Sequence, residues 1–177
     1  MYSIKHTAAG AAIVAGYALL FGTSSTVAME LIGKASYGEQ DHPASSDSSP
    51  LEVHMKLAKR AGPHCGFDEL LLRGERASLY LRGIRATGQP AGIYRVLLGA
   101  EYARPSTAAA VGEINFYGIT DTSARDVSFF IDSALLKHML EVTSDCSVRV
   151  FFIPARPAIA RPEFAIDSIE LWAGPID

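Results

Sequence analysis

The chain of 177 residues is long enough for one folded domain with an appended segment. Hydrophobic residues make up 49% of it and charged residues 20%, which is typical of a globular protein with one buried core. The formal net charge is -3 and the basic residues are dispersed, so no basic block is present to hold a nucleic-acid backbone, and we expect no nucleic-acid partner.

Residues 1–34 are predicted to form an N-terminal hydrophobic helix. The run from Thr7 to Met29 carries no charge, and at about 1.5 Å per residue such a helix spans the ~30 Å hydrocarbon core of a bilayer. Lys5 precedes the run and acidic residues follow it, which predicts a cytoplasmic amino end and a periplasmic or extracellular domain. Two interpretations are open: a retained single-pass membrane anchor, or a signal peptide cleaved near Thr26 and Ala28 that leaves the domain secreted or periplasmic.

A ridge of small residues at helical spacing favours the anchor. Ala8, Ala12 and Gly16 recur every four residues and lie on one helix face. Small residues allow a second membrane helix to approach closely. The ridge therefore predicts packing against integral membrane protein subunits.

The chain after this segment changes character twice. Residues 35–50, ASYGEQDHPASSDSSP, are rich in Ser, Asp and Pro and predict a flexible linker. From Leu51 the apolar residues alternate with polar ones, first in LEVHMKL, which indicates a half-buried strand. Similar runs follow near residues 77–84, 92–99, 111–118, 127–131, 147–154 and 164–172.

These runs predict a mainly β domain over residues 51–177. About seven strands separated by turn-rich pieces are typical of an antiparallel β-sandwich. The run VGEINFYG, residues 111–118, is expected to be a central strand. One short helix interrupts the strands, because Asp132 or Ser133 can cap SALLKHMLE, whose apolar residues share one face. We expect this helix to plug one end or edge of the sandwich.

The sequence contains two cysteines, Cys65 and Cys146. In an exported chain they can form a disulfide, which would stabilise the fold by closing a long loop. Two separate buried thiols are the alternative, because spacing alone does not bring the residues together.

No pattern in the sequence predicts a catalytic, cofactor-binding or metal site. The five histidines form no H-x-x-x-H pair and no Cys/His group with ligand spacing. The loop from Asp121 to Asp126 lacks the alternating acids and central glycine of a calcium loop, and the chain has no G-x-S-x-G elbow. We therefore expect no enzymatic activity and no cofactor.

Strand alternation does single out one pair of surface residues. Tyr80 and Arg82 are two positions apart and are predicted on the same outward face. Tyr and Arg are enriched in protein interfaces, so the pair marks either a partner-binding face or an ordinary solvated face of the sheet.

Between Leu79 and Trp172 five motifs follow one another in the order LYLRGIRATGQPAGIYRVLLG, VGEINFYG, SFFIDSALLKHML, SVRVFFIPA and IDSIELW. In these motifs the sequence resembles the C-terminal β-sandwich domain that follows the copper domain in bacterial tyrosinases and related polyphenol oxidases. The resemblance implies a β-sandwich module that, in its relatives, packs on another domain and covers its surface. Because the histidine-held paired coppers of that family have no counterpart in this sequence, no copper ligand or catalytic residue is carried over.

Together these features predict a non-catalytic, membrane-anchored accessory subunit. Its extracytoplasmic domain would dock on a larger membrane protein complex, for example a respiratory or photosynthetic one. The alternative is a secreted or periplasmic protein that caps or matures a type-3 copper oxidase.

Overall fold

The computed structural model describes residues 29–37, 50–58, 76–87, 92–141, 146–155 and 163–174. Within these ranges the chain forms eight β-strands and one α-helix. In chain order they are β1 (Glu30–Tyr37), β2 (Leu51–Leu57), β3 (Arg76–Thr87), β4 (Ile93–Ala100), β5 (Ala109–Asn115), β6 (Arg125–Ile131), α1 (Ser133–Glu141), β7 (Ser147–Pro154) and β8 (Glu163–Gly174).

The eight strands form one antiparallel sheet in the order β5–β4–β7–β2–β1–β8–β3–β6. The sheet curls until its two edge strands, β5 and β6, come close to each other. Along this seam the ring of Phe129 lies against Gly112, where an added Cβ atom would sit 2.1 Å from the ring carbon Cδ1. Side-chain packing therefore brings the edges of the nearly closed sheet together.

The single curled sheet corrects the predicted sandwich of two sheets. The seven predicted strands and the short helix are confirmed, but alternation reports only which side chains face a core. Both architectures have the same alternation, and the hydrogen-bonded order of strands distinguishes them. The run at residues 111–118 is also corrected, because β5 lies at an edge of the sheet and not at its centre.

The eighth strand, β1, crosses the junction between the predicted helix and the predicted linker. It pairs with β2 on one side and with β8 on the other. Its alternation is obscured by Gly33, which is buried against Met55 and Leu57 where a larger residue would not fit. The predicted transmembrane helix otherwise falls on residues 1–28, outside the described residues, and no helix in the described part is long and apolar enough to cross a membrane.

The interior of the sheet is apolar, and its two ends are filled differently. At the end where β4 finishes and β5 begins, α1 places Leu136 in the core, and Asp132 caps the helix by accepting a 2.8 Å hydrogen bond from the Ala134 amide. The other end holds five packed aromatic rings with centroids 4.8 to 6.5 Å apart. These rings belong to Tyr37, Tyr94, Phe116, Phe152 and Phe164.

Candidate functional site

The outer face of strands β1, β8, β3 and β6 carries a group of polar side chains around one carboxylate. Glu170 of β8 lies opposite Lys34 of β1 on one side and opposite Tyr80 of β3 on the other. Neighbours in β8 and β3 such as Leu171 and Leu79 are fully buried inside the sheet, so these three residues point outward. We call the following set the Glu170 network: Lys34, Arg82, Asp126, Ser168, Glu170 and Trp172.

Glu170 is buried although it lies on the outer face, with 7% of its surface exposed. Its oxygen Oε1 accepts hydrogen bonds from Lys34 Nζ at 3.1 Å and Ser168 Oγ at 3.0 Å. Its oxygen Oε2 accepts from Arg82 Nε at 3.0 Å and Trp172 Nε1 at 3.1 Å. Four donors from three strands therefore surround one carboxylate, and two of them are cationic.

These donors determine the charge of Glu170. Burial by itself raises the pKa of the carboxyl group, but the hydrogen bonds from Arg82, Lys34, Trp172 and Ser168 outweigh it and lower the pKa to about 2. The hydrogen bond to Glu170 also raises the pKa of Arg82. A carboxylate with so low a pKa stays ionised near neutral pH, so this arrangement suits a fixed ion pair and not proton transfer.

The network fixes the position of Arg82. Its Nε atom donates to Glu170, its NH1 atom lies 3.4 Å from Oδ2 of Asp126, and its Cζ atom lies 5.1 Å from the centroid of the Tyr80 ring. This last distance is that of a cation–π contact. The predicted pair, Tyr80 and Arg82, is thus brought together, with 43% of the arginine side chain still exposed.

A bulge in β3 brings Asp126 to this arginine. Between Leu81 and Ile84 the pairing of β3 with β6 shifts register, and Gly83 adopts a φ of +65°. The Gly83 amide donates a 2.9 Å hydrogen bond to Asp126 Oδ1. A Cβ atom at Gly83 would collide with the Asp167 side chain, so glycine is required both for the backbone conformation and for space.

The other predicted site residues lie elsewhere in the chain. Ala8, Ala12, Gly16 and Cys65 fall outside the described residues. Cys146 is disulfide-bonded, and its carbonyl oxygen accepts a 2.8 Å hydrogen bond from the Leu57 amide. Across the described ranges, no group of three or more His, Cys, Asp or Glu residues is placed to hold a metal ion.

The sequence patterns did not identify Glu170, the centre of the network. The two-residue spacing of Glu170 and Trp172 places both on one face of β8, which is a local signal. The contact with Arg82, however, joins positions 88 residues apart. Only the pairing of β8 with β3 brings them together, and no local pattern reports that pairing.

Comparison with known proteins gives no family assignment. No protein-family model matches the chain, and no curated protein matches it. Among solved structures, a recombinant latent aurone synthase, a polyphenol oxidase, is similar with a TM-score of 0.45 and 12% identity. The latent aurone synthase from its natural source has a TM-score of 0.44 and 10% identity.

Both matches cover 81% of this chain and 28% of the aurone synthase chain. The present chain thus spans little more than a quarter of the length of those enzymes. The similarity assigns no residue and no activity to this chain.

Proposed function

We propose that this chain is a non-catalytic accessory subunit that is tethered to a membrane by its N-terminal segment and docks on a larger membrane protein complex. The docking surface is the outer face of β1, β8, β3 and β6, centred on Tyr80 and Arg82. The observation that carries the proposal is the immobilised Arg82, stacked on Tyr80 and still 43% exposed.

Immobilisation matters because binding normally costs side-chain freedom. A surface arginine has many rotamers, and fixing it at an interface costs about 0.5–1.5 kcal/mol. Here Glu170 and Asp126 hold the guanidinium before any partner arrives. Tyr and Arg are also among the residues that contribute most to protein interfaces. The face therefore has the composition and the preorganisation of a binding surface.

The membrane part of the proposal is supported by the sequence. The uncharged run Thr7 to Met29 is long enough to span a bilayer and leads directly into β1. Its small residues Ala8, Ala12 and Gly16 suit close packing on helices of the host complex. The docking face and the anchor would then bind the same assembly at two points.

The proposal is tested by solubilising native membranes in a mild detergent and sizing the complexes that contain the chain. We expect the wild-type chain to migrate with a larger complex. Tyr80→Ala should weaken this association by roughly tenfold or more, as expected for an interface tyrosine. Arg82→Ala should also weaken the association. If the arginine variant folds poorly, Tyr80→Ala still tests the docking surface, because it leaves the charges around Glu170 intact.

Arg95→Ala is the matched control, because Arg95 is an exposed arginine on β4, in the other half of the sheet. It should leave the association unchanged. Recovery of the wild-type chain only as a free monomer would overturn the proposal. An equal loss in the Arg95 and Arg82 variants would exclude this face as the docking surface.

A second candidate is a secreted or periplasmic protein that caps or matures a type-3 copper oxidase. The motifs shared with the domain that follows the copper domain of tyrosinases, from Leu79 to Trp172, favour it. It requires a mature chain without residues 1–28 and direct binding to such an oxidase. Amino-terminal sequencing of the mature protein separates the candidates, since an intact Met1 supports the anchored subunit.

A further inference from the structure

The next rung of the same sheet face has a different composition. Leu31 of β1 lies opposite Trp172 of β8, Trp172 lies opposite Ser78 of β3, and Ser78 lies opposite Phe130 of β6. We call these four residues the Trp172 rung. Leu31 is 37% exposed and Phe130 is 75% exposed, while Trp172 is partly exposed. Ser78 is buried, so the rung presents large apolar side chains to the surroundings from three strands, β1, β8 and β6.

Polarity changes abruptly from this rung to the one beside it. The adjacent rung, about 7 Å away, consists of Lys34, Glu170, Tyr80 and Ser128; it lies two residues further along β8, β3 and β6, and three residues further along β1 because of a register shift between Leu31 and Gly33. Apolar groups of membrane-surface proteins insert about 5–10 Å into the boundary between headgroups and acyl chains. The spacing between the apolar rung and the charged rung is similar to this depth. Trp and Tyr are the residues enriched at that boundary.

The position of the Trp172 rung in the chain indicates what covers it. The uncharged run ends at Met29, which packs against Gly174 at the end of β8, and Leu31 follows only two residues later. Two extended residues span about 7 Å. If the run enters a bilayer, as in the proposed function on which this step rests, Leu31 lies within about this distance of the membrane surface, and the rung extends from Leu31 across the sheet to Phe130.

We infer that the Trp172 rung contacts the lipid bilayer at the headgroup–acyl boundary and fixes the orientation of the domain on the membrane. The contact is with lipid in general and not with anionic lipid. Arg76 is exposed at this end of the sheet, but the acidic residues Glu30 and Asp132 are exposed there as well, so these described residues carry no excess of positive charge. Apolar burial therefore drives the contact.

The chain contains its own reporter for this contact, because Trp172 is its only tryptophan. The full-length chain is reconstituted into phosphatidylcholine vesicles with or without bromine atoms on the acyl chains. Bromine quenches a tryptophan only when it is close, so we expect lower Trp172 emission in brominated vesicles. A flotation gradient on the same samples measures whether the chain is held by the vesicles at all.

Phe130→Ser tests whether the rung makes the contact. This change removes an exposed ring, and it should reduce the quenching of Trp172 and raise its accessibility to aqueous iodide. Tyr117→Ser is the matched control, since Tyr117 is 67% exposed but follows β5 at the opposite end of the sheet. The control should leave quenching unchanged.

The outcomes separate this inference from the anchor on which it rests. A chain that floats with vesicles but shows no bromine quenching retains the anchor and overturns the lipid contact, which leaves the rung to a protein partner. Equal quenching in the Phe130 and Tyr117 variants also overturns it. A chain that does not float overturns both the anchor and the contact.

Discussion

Replacing Glu170 by glutamine keeps the size of the side chain and removes the charge that Lys34 and Arg82 share. The pKa of Glu170 is about 2, against an ordinary value of 4.5. At about 1.4 kcal/mol per pKa unit, the ionised form is favoured in the folded protein by at most about 3.5 kcal/mol. Because the Lys34 and Arg82 side chains are 58% and 43% exposed, solvent screens the pairs, and we expect a loss of about 1–2 kcal/mol at pH 7.

The pH dependence of this loss follows from the sign of the shift. The pKa of Glu170 is lower in the folded state than in the unfolded state, so its contribution to stability is complete above about pH 5. The contribution disappears as the pH falls toward the folded-state pKa of about 2. The Glu170→Gln variant lacks this titrating carboxyl group, so its stability does not include the contribution. The stability difference between wild type and variant should therefore be largest at pH 7 and small near pH 2.5.

Urea unfolding of the full-length chain in mild detergent, followed by far-ultraviolet circular dichroism at both pH values, measures this difference. Glu113→Gln is the matched control, because Glu113 is exposed on the edge strand β5, and its effect should stay within about 0.5 kcal/mol. An equal stability difference for the Glu170 variant at pH 7 and pH 2.5 would refute the assignment of a low pKa to its network.

Further substitutions at two glycines and at the two cysteines test the packing of the sheet, each by urea unfolding. Gly112→Ala should cost about 1–3 kcal/mol, because the new Cβ atom would lie 2.1 Å from the Phe129 ring, and it should be nearly neutral in a Phe129→Ala background. Gly83→Ala should cost about 1–3 kcal/mol through its positive φ alone. Cys146→Ser should cost about 2–5 kcal/mol, and Cys65→Ser should match it; a Cys65 variant as stable as wild type would exclude the predicted pair.

The strands could be predicted from the sequence wherever the alternation is local and uninterrupted. In β2, Val53 and Met55 are buried while Glu52 and His54 are exposed, as the period of two requires. In β1 the alternation fails, because Gly33 is buried for reasons of space that only the positions of Met55 and Leu57 explain. The burial pattern of β1 depends on the strand beside it, so the eight residues of β1 alone do not predict a strand.

The same distinction applies to the candidate site. Alternation places Tyr80 and Arg82 on one face, because they belong to a single strand. The ion pairs of Glu170 depend on which strands flank β8, and that is decided by the packing of the whole core. Long-range strand order also explains why a curled single sheet was not distinguished from a sandwich.

The place of β8 in the sheet has a consequence for biosynthesis. This strand is the last of the described strands to be synthesised, yet it lies between β1 and β3 and joins the five strands β5–β4–β7–β2–β1 to the pair β3–β6. It pairs Glu30 with Ala173, two residues from opposite ends of the described chain, and such distant contacts form slowly. Until β8 is synthesised, the strands on its two sides are not hydrogen-bonded to each other, and we expect their open edges to be prone to aggregation. A chain truncated before residue 163 lacks the strand that hydrogen-bonds to both β1 and β3, so we expect it not to form this sheet.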